Sequence, residues 1–187
     1  MEILKALCMI YPISQSTQNL FLRIVEKNTY SKGHSLLDLW EIDRYFHFIV
    51  KGSGRVFYLR NGQDITDYLA MDGHFLGGVE SLFTQEPSHK AIELTEDSIV
   101  QSFSYNAFEN LCATNHELET LGRKMVIFAF LECQKRIESI RFLSAAERYQ
   151  ELEKKYPGIS NRIPLKHLAS YLGTTQVSLS RIRSGTQ

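Results

Sequence analysis

A chain of 187 residues is long enough for one ordinary domain or two small ones, and 43% hydrophobic against 22% charged residues exclude a disordered or low-complexity polypeptide. Its 21 basic and 21 acidic residues cancel, which excludes a uniformly basic nucleic-acid binder. The cancellation is not local: from Tyr156 to Gln187 there is no Asp or Glu, while Arg162, Lys166, Arg181 and Arg183 are basic, so this segment carries +4 and the rest −4 (17 basic against 21 acidic). A basic end on an acidic body suits a small DNA reader.

In chain order, residues 1 to about 28 read as helical, with Leu20 and Ile24 opposite a polar face and Ser14 or Ser16 as N-cap. Pro12, Gln15 and Gln18 interrupt the apolar stretch and no small-residue cleavage site follows, so a cytoplasmic protein with no membrane partner is expected. Cys8, Cys112 and Cys133 are widely spaced without a CxxC pair, which predicts reduced, mostly packed thiols and no metal cluster. From Gly33 to about Tyr105 the pattern changes to short aromatic and β-branched runs punctuated by Gly52, Gly54, Gly62, Gly73, Gly77 and Gly78. Phe46, Phe48 and Val50 alternate with His47, Ile49 and Lys51, and Asn61-Gly62 supplies a type I′ hairpin signal. Such strands predict a small antiparallel barrel or jelly roll.

Beyond Tyr105 the period becomes helical. Leu118, Leu121, Met125 and Phe128 form one stripe, and Val126, Phe130, Cys133, Ile137 and Ile140 form a second on nearly the opposite face. A helix over 117–141 with two apolar faces needs burial on both sides: one can cover the barrel of its own subunit, and a coiled-coil partner is the economical supply for the other. A core helix wrapped by a single chain is the alternative.

After Phe142-Leu143, Ser144 with Glu147 forms a capping-box pattern ahead of a helix over 145–155, closed by Pro157-Gly158. A helix over 165–172 ends at Gly173, and Thr174 or Thr175 caps a last helix to about Arg183, which is the helix-turn-helix pattern. Ala169 is small where the helices cross, and Leu168, Leu172, Val177 and Ile182 are the expected core. This leaves Lys166, Thr174, Thr175, Gln176, Ser178, Ser180, Arg181 and Arg183 as candidate DNA contacts, with Gln176, Ser180 and Arg181 in the groove and Lys166 and Arg183 on phosphates.

Four segments, Phe48–Val56, Asp72–Gly77, Phe142–Tyr149 and Ala169–Arg183, occur in an order that resembles the Crp/Fnr family of regulators, especially its short Bacteroidetes members. The resemblance implies an α+β chain: a jelly-roll effector domain of the cyclic nucleotide-binding type with an N-terminal helix over 1–116, a dimerisation helix over 117–141, whose expected dimer residues are Leu118, Leu121, Met125 and Phe128, and a helix-turn-helix domain over 142–187. It implies a sequence-specific transcription regulator acting as a homodimer on double-stranded DNA, with RNA polymerase as partner.

Nucleotide-binding members hold the cyclic phosphate with Arg-Ser and the ribose with Glu. Here Gly78 stands where that Glu would fall and Pro87-Ser88-His89-Lys90 occupies the phosphate stretch, so cyclic AMP bound in the usual way is not expected. The effector pocket expected instead comprises Phe75, Gly77, Gly78, Glu80, Ser88, His89 and Lys90, for a small molecule other than canonically bound cyclic AMP; a barrel that is only a scaffold is the alternative. Gln176-Val177 replaces the Arg-Glu pair of nucleotide-regulated relatives, which predicts a different operator. Cys8 alone cannot supply the cysteine cluster of oxygen-sensing members, and His47, His74 and His89 are read as ordinary polar residues rather than haem ligands.

No enzyme is expected. A cupin-like metalloenzyme built on His47, His74, Glu80 and His89 would need an HxH pair, and the chain has none, nor a GxSxG elbow or a Walker A loop. No catalytic or metal-ligating residue and no resident cofactor is assigned.

Overall fold

The computed structural model describes residues 1–185; the last two residues of the segment expected to form the DNA-reading domain lie outside it. The expected single N-terminal helix is two: α1 (Glu2–Ile10) and α2 (Gln15–Leu22). The break falls at Tyr11, which is extended at φ −155° and ψ 120° because a following proline disfavours the helical region for the residue before it. Ser14, not Ser16, then caps α2 by accepting the Thr17 N–H. The expectation of helix as far as residue 28 fails, because Val25–Tyr30 is a strand, β1, paired antiparallel with residues 98–103. Local propensity carries no trace of a partner about 70 residues away.

The remaining strands are β2 (Ser35–Leu37), β3 (Tyr45–Lys51), β4 (Ser53–Arg60), β5 (Gln63–Met71), β6 (His74–Leu76), β7 (Lys90–Leu94) and β8 (Ser98–Ser104), with the short helix α3 (Val79–Thr84) between β6 and β7. They form two antiparallel four-stranded sheets, β1-β8-β3-β6 and β2-β7-β4-β5, the jelly roll expected from the sequence. Asn61 and Gly62 both take positive φ, 51° and 75°, as a type I′ turn requires, and close the β4–β5 hairpin.

The period-2 alternation sends side chains into different cores on the two faces of each sheet. Leu37, Ile49, Val56, Ala70, Leu76, Ile92, Leu94 and Val100 fill the space between the sheets. On the outer face of the first sheet, Phe48 and Phe103 pack with Ile3, Leu7 and Phe21 of α1 and α2, with Phe108 of α4 (Tyr105–Cys112), and with Leu118 and Leu121 of α5 (His116–Phe142). Each such buried side chain contributes about 1.5–3 kcal/mol relative to exposure.

Helix α5 corrects the assignment of its stripes. Leu118 and Leu121 are fully buried in the chain's own core and Met125 packs against it, so they cover the barrel rather than a partner. Phe128 is 55% exposed, as are Val126, Phe130, Leu131, Ile137 and Ile140 to similar degrees. The residues at the strict 4-3 spacing, 126, 130, 133, 137 and 140, lie along the part of α5 that the chain leaves uncovered, and Cys133 among them is exposed rather than packed.

The C-terminal helices are α6 (Ala145–Lys155), α7 (Ile159–Arg162), α8 (Leu165–Tyr171) and α9 (Gln176–Ser184). Ser144 and Glu147 form the capping box in full. At the α8 end Gly173 takes φ 65°, its N–H reaching the Ser170 carbonyl and that of Thr174 the Ala169 carbonyl. This left-handed stop turns the chain into α9. The helices enclose Leu152, Tyr156, Ile159, Ile163, Leu168, Ala169, Leu172 and Leu179, and the same core takes in Leu69 and Met71 from the outer face of the second sheet. The expected core role of Val177 is wrong: it is 62% exposed, and Leu179 is the residue of α9 that turns inward. At the first turn of so short a helix, two residues decide which one meets the α8 contact.

Candidate nucleic-acid interface and effector barrel

Helix α9 packs on α8 and α6 through Leu179 and presents its other faces outward. Of the eight residues expected to contact DNA, Lys166, Thr175, Gln176, Ser178, Ser180, Arg181 and Arg183 are exposed and Thr174 is half-buried. Two have local tasks: Thr175 Oγ1 caps α9 by accepting the Ser178 N–H at 3.1 Å and donates to Ser178 Oγ at 3.0 Å. Gln176, Val177, Ser180 and Arg181 therefore form the free face, Val177 adding a methyl surface between polar groups. Arg148 of α6 steadies this unit, donating to the Leu172 carbonyl from Nε and Nη2 at 3.0 and 2.8 Å and to the Leu143 carbonyl from Nη1.

Arg162, counted in the basic segment, is spent on the barrel. Its guanidinium bonds Asp72 at 2.5 Å, Glu96 at 2.5 Å and the Gly52 carbonyl at 3.0 Å. The hydrogen bond from Arg162 holds the Asp72 carboxyl below its usual range. Beside it, Tyr156 OH donates to the Leu69 carbonyl at 3.3 Å and the Thr66 N–H to Ser170 Oγ at 2.9 Å. Under α8 lies Arg55, 3% exposed, holding Asp64 at 2.5 Å and Glu93 at 2.8 Å and covering the Phe57 ring at 4.1 Å. Burial next to this cation pushes His167 down to about 4, leaving it neutral. Nothing in the spacing of the sequence signalled this contact, since it joins residues 52–96 to residues 156–170.

The expected effector residues are not brought together. Phe75 faces the outer side of its sheet, its ring 5.1 Å from that of Phe48 in the helical core, so its placement in the pocket is incorrect. Lys90 turns to Asp67 at 2.8 Å. Ser88 donates its hydroxyl to the Lys90 carbonyl and accepts the Lys90 N–H, closing a local turn. Glu80, Ser88 and His89 do line one cleft with Ser81, Thr84, Glu86 and Pro87, but it encloses only ≈ 30 Å³, about one water molecule, and its two glutamates oppose an anion. Gly77 and Gly78 border Asp43, which the sequence reading missed. Asp43 is 2% exposed and accepts the N–H groups of Gly78 at 2.7 Å and Tyr45 at 3.1 Å. Burial raises its pKa against the downward pull of these bonds. A β-carbon on Gly78 would stand 3.1 Å from both Asp43 Oδ2 and Leu37, so the glycine makes room for a carboxylate of the chain's own.

His47 faces the barrel interior at 5% exposure with Nδ1 2.8 Å from Ser102 Oγ, while Nε2 is buried without a partner. Among the described residues no group of three or more His, Cys, Asp or Glu is placed to hold a metal ion, and no helix is long and apolar enough to cross a membrane.

The family model described as the cyclic nucleotide-binding domain matches residues 27–115, a little under half the chain. Among solved structures the chain is similar to FixK2 from Bradyrhizobium japonicum, at 16% identity over 87% of this chain and 84% of that one, with a TM-score of 0.71. It is similar to CLP, the c-di-GMP responsive global regulator of Xanthomonas campestris, at 13% identity over 92% and 91%, with a TM-score of 0.66. A Crp/Fnr family regulator from Eubacterium rectale gives 15% identity over 92% and 83%, with a TM-score of 0.67. No curated protein matches. The chain thus has a barrel of the cyclic nucleotide-binding type and resembles the Crp/Fnr regulators in fold over nearly its whole length.

Burial pushes His47 down from 6.5 to about 4, so the native state excludes a proton that the unfolded chain binds below 6.5. Stability from this group is present above pH 6.5 and is lost as pH falls toward 4, by up to about 3 kcal/mol. Urea unfolding across that window is expected to show the loss, and His47→Phe to reduce it; an unchanged profile in the variant would assign the loss elsewhere.

Proposed function

We propose that the chain is a sequence-specific DNA-binding transcription regulator of the Crp/Fnr type, cytoplasmic and without enzymatic activity, acting as a homodimer joined along α5 and inserting the two α9 helices into successive major grooves about one helical turn apart. The observation that carries this reading is α9 held outward on a rigid base, with Gln176, Val177, Ser180 and Arg181 free, in a segment that holds no acidic residue. Arg181 and Gln176 suit base edges, Val177 suits a thymine methyl, and Lys166 and Arg183 suit phosphates. The resemblance to Crp/Fnr regulators adds RNA polymerase, recruited or blocked, as the downstream partner.

For the barrel, the packed interior and the pairing of Lys90 with Asp67 favour a scaffold over a sensor of cyclic phosphate. Cyclic AMP at millimolar concentration is expected to leave the thermal midpoint unchanged; a rise that Lys90→Ala or His89→Ala removes would reinstate an anionic effector.

Two variants test the reader on fragments selected from genomic DNA by the purified protein. Arg181→Ala is expected to lose discrimination between selected and random fragments, at a cost of about 1–3 kcal/mol on the former, whereas Lys166→Ala weakens both alike and, with two copies in the dimer, lowers the salt slope by about 1.8. Selectivity equal to wild type in Arg181→Ala would remove α9 from the groove.

The dimer is tested on its exposed stripe. Ile137→Glu is expected to give folded monomers by analytical ultracentrifugation, while Leu121→Ala keeps the dimer and lowers stability by about 2–5 kcal/mol. The reverse assignment would return the seam to the first stripe.

A further inference from the structure

The β4–β5 hairpin does more than close the barrel. Its outer face is the bed on which α8 lies, so its tip comes beside the helix-turn-helix. The register places Leu59 opposite Asp64 and Arg60 opposite Gln63 at the end of the ladder, and Asp64 is close enough to feel the charge of Lys166 at the start of α8. The acids near the tip are already matched: Asp64 is held through two oxygens by Arg55, and Asp67 is held by Lys90. Arg60 is exposed and has no acidic partner among the described residues, and Lys166 is exposed as well. Two cations without an acidic ion-pair partner among the described residues thus stand on neighbouring elements, at the hairpin tip and at the start of α8.

This placement is fixed rather than incidental. The hairpin shares a buried core with the reader through Leu69 and Met71, and Ser170, Tyr156 and Arg162 tie the two by hydrogen bonds to Thr66, Leu69 and Asp72. A reader that sits down on a duplex carries the tip with it.

We propose that the hairpin tip, residues 60–63, is a second DNA-contacting element in which Arg60 pairs with a backbone phosphate flanking the base pairs read by α9. The proposal rests on the reading of α9 as the DNA reader. A guanidinium on a barrel turn that does not itself enter a groove recognises phosphate, not sequence, so its contribution is uniform across sequences and electrostatic. Each phosphate neutralised contributes about 0.9 to the slope of log affinity against log salt, so two tips in a dimer contribute about 1.8.

The test is binding of the full-length protein to a labelled mixed-sequence duplex of roughly four helical turns, followed by fluorescence anisotropy over a range of potassium chloride concentrations. Arg60→Ala is expected to lower the slope by about 1.8 and to weaken mixed-sequence and selected fragments by the same factor, while Arg60→Lys keeps most of the slope. A wild-type slope in Arg60→Ala, with Arg181→Ala still losing selectivity, overturns this proposal alone. No DNA binding by the wild-type protein, or wild-type selectivity in Arg181→Ala, overturns the reader and the tip together.

Discussion

Leu69 and Met71 leave apolar area on the outer face of the β2-β7-β4-β5 sheet, at 1% and 3% exposure only because α6 to α8 cover them. Without that cover the sheet would present an apolar strip to water, and the C-terminal helices would lack the floor of their core. Everything that concerns function follows from this shared burial: α8 is laid flat, Gly173 turns the chain, and α9 has one side on which it can be buried and others that must face out.

Polar groups then give the contact its single register. Arg162 joins two carboxylates and a carbonyl, Arg55 joins two carboxylates under α8, and Ser170 accepts the Thr66 N–H of β5. A charge that the tail of the sequence offers to a nucleic acid is thereby withdrawn, while Lys166, Arg181 and Arg183 remain available. The acidic body and the basic end interact in part with each other, so local charge is the relevant quantity.

The barrel shows how a fold can persist while a site changes. Its strands, the short α3 and the Gly77-Gly78 turn stand where the fold requires them, yet a buried aspartate takes the amide of Gly78 and the lysine of the phosphate stretch is paired with Asp67. His47, with one nitrogen unpartnered, is the interior polar group that costs stability as the pH falls.

By itself the sequence determined the jelly roll through period-2 runs and the Asn61-Gly62 turn, the long α5 through its two stripes, and the helix-turn-helix through Ser144-Glu147, Ala169 and Gly173, because each of these signals is local and spans a turn or two. It also determined that the last segment is basic. Only the tertiary structure decided that residues 25–30 are a strand, that Leu118 and Leu121 face inward while Ile137 faces out, that Leu179 replaces Val177 in the core, and that Phe75 and Lys90 leave the effector site. Each of these depends on which surface a residue meets on another element, at separations from that of Lys90 and Asp67 to that of Val25 and Phe103. Pairing and burial at such separations are properties of the folded chain, and periodicity cannot tell two apolar faces of one helix apart.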